Sequence, residues 1–219
     1  MTTVQTDFAT RAEEVSRYFR FLREFDEGRV TFVAPGAGLP PFTTIDSDSL
    51  FKTLKANGFL LLYNLVESTL KNAIEAIFDD LRGGAVSFDA CRKEIRRIVL
   101  ENLKKHAVDK ILPSLSSISV DVVVRTFRKE GLFSGNVDGR RVREVAGAYG
   151  FKTPAHKSSE LLTVKTNRND LAHGVKSFAD VGRDYDIARL ESIHSEVIGF
   201  MQELLANIDD YIVKREYLI

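Results

Sequence analysis

Lys165-Thr-Asn-Arg168-Asn-Asp-Leu-Ala-His173-Gly174 is the stretch on which the reading of this chain turns. It closes an amphipathic segment that starts near Ser158, and polar and charged groups crowd into it. The glycine predicts a left-handed residue just past the last turn. That puts His173 at a helix C-terminus, where the helix dipole favours a cation. Asn169 and His173 are then i and i+4, and Asp170 and His173 are i and i+3, so they are neighbours on the helix surface. Arg168 and His173 are five residues apart, about 140° around the axis and about 7.5 Å along it. They can flank one groove without being face partners. A histidine that cycles its proton near neutral pH, beside a permanent guanidinium suited to phosphate, makes a workable phosphodiester site. The plainer reading is an ordinary helix end, with basic residues and a closing glycine.

Working outward, apolar residues recur at three-to-four spacing almost throughout, which predicts an all-α protein. Residues 8–27 read as a first helix stopping at Gly28, and residues 28–47, with Pro35, Pro40 and Pro41, as a surface loop. Asp48 or Ser49 can cap a long helix to about Leu81, and Asp89 a further one from Ala90 to about Val108. Pro113 and the serines after it break the pattern, and Val120–Phe127 reads as a short strand or a buried helix. A short irregular or β insertion is therefore expected near 113–136. A short helix follows from about Asp138 to Tyr149, closed by Gly150. The last helix begins near Asp186, and Leu190, Val197, Leu204 and Tyr211, with Met201 and Ile208, follow a heptad. That seam is either core or a subunit interface, and core is the default. His194 falls on the seam and reads as a satisfied core histidine.

The 219 residues, 44% hydrophobic and 28% charged, fit a single globular domain with a real core. The one cysteine, Cys91, allows no internal disulfide and no cysteine metal cage. The first twenty residues carry no apolar block, and the longest apolar run, Gly58-Phe-Leu-Leu-Leu-Tyr63, is far shorter than a membrane span. A cytoplasmic protein without membrane contact is the expectation. Net charge is zero, but residues 91–176 hold 18 Lys/Arg against 9 Asp/Glu, between two acidic ends. A basic middle suits a local anionic partner, although charges also simply solvate helix faces.

No His-Glu-x-x-His, cysteine pair, G-x-S-x-G or P-loop is present. Asp180, Asp184 and Asp186 lack calcium-loop spacing and read as a helix-start cap. The four histidines are too scattered for a metal site, so no metal and no cofactor is expected. A second polar set, Tyr63, Asn64, Glu67 and Lys71, lies on the long helix. Glu67 and Lys71 suit a plain i, i+4 surface pair. Asn64, inside an apolar run, reads as a buried amide that needs partners, and Asn64 or Glu67 is a candidate to orient His173. Arg140, Arg141 and Arg143, with Lys165 and with Phe133, Tyr149 and Phe151 nearby, are candidates for binding single-stranded RNA.

Arg168-Asn-Asp-Leu-Ala-His173 matches the R-x4-6-H signature of HEPN domains, including a polar residue after the arginine. Lys55–Thr69, Leu132–Arg140, Leu162–Thr166 and Phe178–Tyr185 also resemble one branch of HEPN-like nucleases from prokaryotic defence and toxin–antitoxin loci. The matches span most of the chain from about residue 48. The resemblance implies a helical bundle over 48–219 that forms a homodimer with its two signature helices facing across a cleft. It implies metal-independent RNA cleavage, with Arg168 and His173 of both copies in one composite site and Asn169 and Asp170 in support. The expected activity is that of an endoribonuclease acting by 2′-hydroxyl attack. The alternative is a catalytically quiet module that binds a nucleotide, an RNA or a protein. Some relatives are silenced by an antitoxin that modifies a tyrosine two residues beyond the histidine. Here that position is Val175, so an antitoxin or other defence partner would act differently.

Overall fold

The computed structural model describes residues 1–31, 44–104 and 136–219. Its helices are α1 (Thr2–Asp26), α2 (Thr44–Gly83), α3 (Lys93–Lys104), α4 (Gly139–Tyr149), α5 (Ser159–Ala172), α6 (Phe178–Arg183) and α7 (Ile187–Val213). A single 3-10 turn, Phe88–Ala90, precedes α3. No strand occurs among the described residues, and the fold is an all-α single domain.

The 40 residues of α2 form the axis of the bundle, about 60 Å long at the usual helical rise. It packs against α1, α5, α6 and α7. Such a helix needs apolar side chains around most of its circumference. The sequence supplies them: Ala56, Phe59, Leu62, Tyr63, Val66, Leu70, Ile74, Ile77, Phe78 and Leu81 are all buried. On α1, one stripe is buried, namely Phe8, Ala12, Val15, Phe19 and Leu22. The Tyr18 hydroxyl donates to the Leu54 carbonyl at 2.6 Å, and burial pushes its pKa up to about 12. The short α6 lies against the α2 backbone at Gly182. A Cβ there would sit 1.9 Å from the Lys52 carbonyl oxygen, so only glycine permits the crossing.

On α7 the heptad residues Leu190, Val197, Met201, Leu204, Ile208 and Tyr211 are buried in the same core. The seam is core, not a subunit face. Tyr211 donates its hydroxyl to the Tyr149 carbonyl at 2.6 Å, tying α7 to the end of α4. His194 stacks on Phe19, with ring centroids 4.7 Å apart, and its Nε2 lies 3.1 Å from Ser16 Oγ. Burial lowers its pKa from the usual histidine value. The C-terminal tail returns beside Cys91. The Arg92 N–H donates to the Tyr217 carbonyl at 2.8 Å, and the Ile219 N–H to the Ala90 carbonyl at 3.1 Å. Cys91 is buried, which pushes its thiol pKa up.

Several boundaries differ from the sequence expectation. The first helix starts at Thr2, not near residue 8, because nothing in Thr2–Asp7 stops a helix. The long helix starts at Thr44, so Asp48 and Ser49 lie inside it rather than capping it, and Asp48 pairs with Lys52 one turn on. Asp89 sits in the 3-10 turn, and α3 begins only at Lys93. The acidic loop holds a helix of its own, α6, capped by Ser177, while Asp186 caps α7 as expected. Most of the loop at 28–47, the region beyond Lys104, His106, the Val120–Phe127 run, Phe133 and all but residue 136 of the expected insertion lie outside the described residues.

Candidate functional site

Helix α5 buries Leu161, Val164, Asn167 and Leu171, which turns Leu162, Thr166 and the helix end outward. It ends as its glycine requires. Gly174 has φ +67°, His173 is the C-cap, and the His173 N–H donates to the Asn169 carbonyl at 3.0 Å. The Asp170 carbonyl accepts from the N–H groups of Val175, at 2.8 Å, and Lys176, at 3.3 Å. The Asp170 carboxylate pairs with Lys176 at 3.5 Å. Asp170 therefore serves the turn on which His173 sits.

The centre of the site is Arg168. Its guanidinium carbon lies 4.6 Å from the centroid of the Tyr63 ring on α2, and Nη1 donates to Asn169 Oδ1 at 3.0 Å. Among the described residues no carboxylate pairs with it. A stacked arginine of this kind keeps its charge and most of its donors for an incoming anion. Tyr63 is itself fixed: it is 1% exposed, and its hydroxyl accepts the Val137 N–H at 3.3 Å. Burial raises the Tyr63 pKa and the neighbouring Glu67 carboxylate adds to this, while the Val137 N–H and Arg168 oppose it.

A second tie lies beside the first. Lys165 forms an ion pair with Asp138, whose carboxylate also accepts the Arg141 N–H at 2.9 Å and so caps α4. Burial alone would raise the Asp138 pKa, but the hydrogen bonds from Lys165 and the α4 backbone outweigh it and hold the carboxyl below its usual range. Within the same sequence stretch, Asn167 is buried and donates to Tyr185 Oη at 2.8 Å and to the Thr163 carbonyl at 2.9 Å. Sequence reasoning passed over Asn167 and Tyr185. A buried amide one residue before Arg168 was the available signal.

The remaining candidates separate. Asn64 is exposed, not a buried amide, because the helical rotation that buries Tyr63 and Leu65 on either side turns position 64 outward. Glu67 accepts from Lys71 at 2.7 Å, the plain i, i+4 pair, and makes no contact with His173. His173 is exposed, and its imidazole makes no hydrogen bond or ion pair among the described residues. Neither Asn64 nor Glu67 orients it within one chain. The arginines of α4 are engaged: Arg140 and Arg141 both reach Glu144, at 3.0 and 3.2 Å, and Arg143 donates to Ser158 at 2.9 Å. Tyr149 and Phe151 belong to the core, so they offer no stacking platform beside these arginines. Among the described residues, no group of three or more His, Cys, Asp or Glu is placed to hold a metal ion, and no helix is long and apolar enough to cross a membrane.

A helical bundle with an arginine and a histidine five residues apart, closing one of its helices, fits the pattern of a HEPN domain. A family model for HEPN_MAE_28990-like HEPN proteins matches residues 1–217, nearly the whole chain, and the chain belongs to this HEPN family. No curated protein and no solved structure matches it.

Proposed function

We propose that this HEPN protein is a metal-independent endoribonuclease of the R-x4-H type that works as a homodimer, in a prokaryotic defence or toxin–antitoxin setting. The observation that carries the reading is the stacked Arg168, free of any carboxylate partner among the described residues, on the same helix as an exposed and unpartnered His173. In this mechanism the ribose 2′-hydroxyl attacks the adjacent phosphorus and the bond from phosphorus to the 5′-oxygen breaks. The products are a 2′,3′-cyclic phosphate and a 5′-hydroxyl. His173 accepts the 2′-proton, and an imidazolium from the same pair of copies returns a proton to the leaving oxygen. Arg168 holds the phosphate as charge builds on its free oxygens, and Asn169 fixes the guanidinium through the bond at 3.0 Å.

One chain gives a poor site, because Arg168 and His173 diverge around the helix. A second copy across a two-fold axis brings the missing groups. The outward face of α5 supports this, since Leu162 is 54% exposed and Val175, just past the helix, 70% exposed. Two apolar side chains flanking the signature residues suit contact with a second copy.

The test is incubation of purified protein with total RNA in EDTA, followed by a gel. Fragments that vanish with His173→Ala support the reading. Cleavage lost in EDTA and restored by magnesium would end the metal-free mechanism. Equal trace background from wild type and both site mutants would leave a quiet RNA- or protein-binding module.

A further inference from the structure

We propose that Tyr63 is the positioning residue for Arg168, and that its ring, not its hydroxyl, does the positioning. As a matter of catalysis this rests on the nuclease reading above; as a matter of geometry it stands alone. Arginine is a long side chain with several rotatable bonds, so an unrestrained guanidinium samples many orientations and reaches a phosphate in only some of them. At Arg168 the restraint comes from two sides. The Tyr63 ring lies under the guanidinium at 4.6 Å, and Asn169 Oδ1 takes one edge hydrogen at 3.0 Å. The ring takes one side of the guanidinium, and the N–H groups that Asn169 does not use are left for a phosphate.

Tyr63 can do this because it cannot move. It is buried on α2 at 1% exposure, and its hydroxyl is held by the Val137 N–H at 3.3 Å. The ring is thereby fixed between the α2 axis and the segment that leads into α4. The hydroxyl is engaged by this backbone contact and by the Glu67 carboxylate, so it serves the fold. The two functions of Tyr63 therefore separate by substitution: Tyr63→Phe keeps the ring, and Tyr63→Leu removes it.

The experiment combines cleavage with a readout that needs no activity. In ¹⁵N-labelled protein, the Arg168 Nε–Hε resonance is identified by its loss in Arg168→Lys. A guanidinium over a ring is shifted upfield, and the expected result is an upfield, sharp signal in wild type and Tyr63→Phe. In Tyr63→Leu it should move to the position of a freely rotating arginine. In parallel, single-turnover cleavage should be kept by Tyr63→Phe and fall by about 2- to 30-fold in Tyr63→Leu, the range for a cation–π contact of ordinary size. Thermal melts separate this loss from unfolding. If Tyr63→Leu fails to fold, Tyr63→Met takes its place.

An unshifted Arg168 signal in wild type overturns the proposal, with or without any mutant. So does a Tyr63→Leu protein that is folded and cuts at the wild-type rate. If wild type shows no Arg168-dependent cleavage, the nuclease reading fails, and the resonance alone decides whether Tyr63 positions Arg168.

Discussion

Arg168 and His173 stand on one helix, but the fold treats them in opposite ways. Arg168 is half-buried, stacked on a core tyrosine and hydrogen-bonded to its neighbour. His173 is exposed at the cap, and its imidazole has no hydrogen bond or ion pair among the described residues. One half of the site is preorganised by the chain, and the other half is only placed by it. Preorganised charge is the feature that lets a site stabilise developing negative charge without rearranging. A proton-transferring group needs equally defined geometry at the moment of reaction. Under the proposed function, His173 acquires its partners only across a second copy, so that dimerisation assembles the nuclease and a monomer carries an arginine for phosphate with no working partner.

The largest expected effects test whether both halves matter. His173→Ala and Arg168→Ala should each lower single-turnover cleavage by at least about 10²-fold, the usual scale for losing a general acid–base or a charge-stabilising donor. His173→Ala should melt like wild type, since the side chain holds nothing in place. If both mutants are folded and cut normally, the chemistry lies elsewhere.

The surroundings of Arg168 should matter to stability in a way those of His173 do not. Asp138→Ala removes both the cap of α4 and the partner of Lys165, so a loss of about 2 kcal/mol is expected in denaturant unfolding. A loss near zero would mean that α4 is not tied to α5 through this residue. Glu67→Gln should cost less than about 1 kcal/mol, because the Glu67–Lys71 pair is a partly exposed i, i+4 contact.

The smallest effect is a pH slope that belongs to the core and should be indifferent to the site. Burial lowers the His194 pKa, so the unfolded chain binds its proton near pH 6.5 while the folded protein still resists it. Stability should therefore fall as pH drops below about 6.5 toward the lower folded value. Glu191 works the other way and moderates the shift. Melting curves of His194→Phe should show a flatter slope over that range, and an unchanged slope would assign it to other groups.

Much of this was legible in the sequence because local punctuation is local chemistry. Gly174 ends α5, and Asp138 and Gly150 bound α4 in the structure as in the pattern. Asp186 likewise starts α7. The heptad of α7 marked the core. Asp48 misled because a residue suited to a cap is also tolerated one turn inside a helix, where Lys52 pairs with it. Asn64 misled because an apolar run on a helix packed from several sides still has an outward position. Tyr149 and Phe151 read as neighbours of basic residues, but Tyr149, on the inner side of α4, and Phe151, just past its end, are both buried in the core. The Tyr63–Arg168 stack joins residues more than a hundred positions apart. The sequence placed both in candidate sets, but no spacing rule could bring them together.

The central claim is that the exposed half of the site is completed by a second copy. Light scattering and single-turnover cleavage in EDTA, followed together through a dilution series from micromolar to nanomolar protein, test it most directly. The account predicts a dimer at the concentrated end, and a rate per chain that falls in step with dissociation. A monomer that cleaves RNA at an undiminished rate would contradict it.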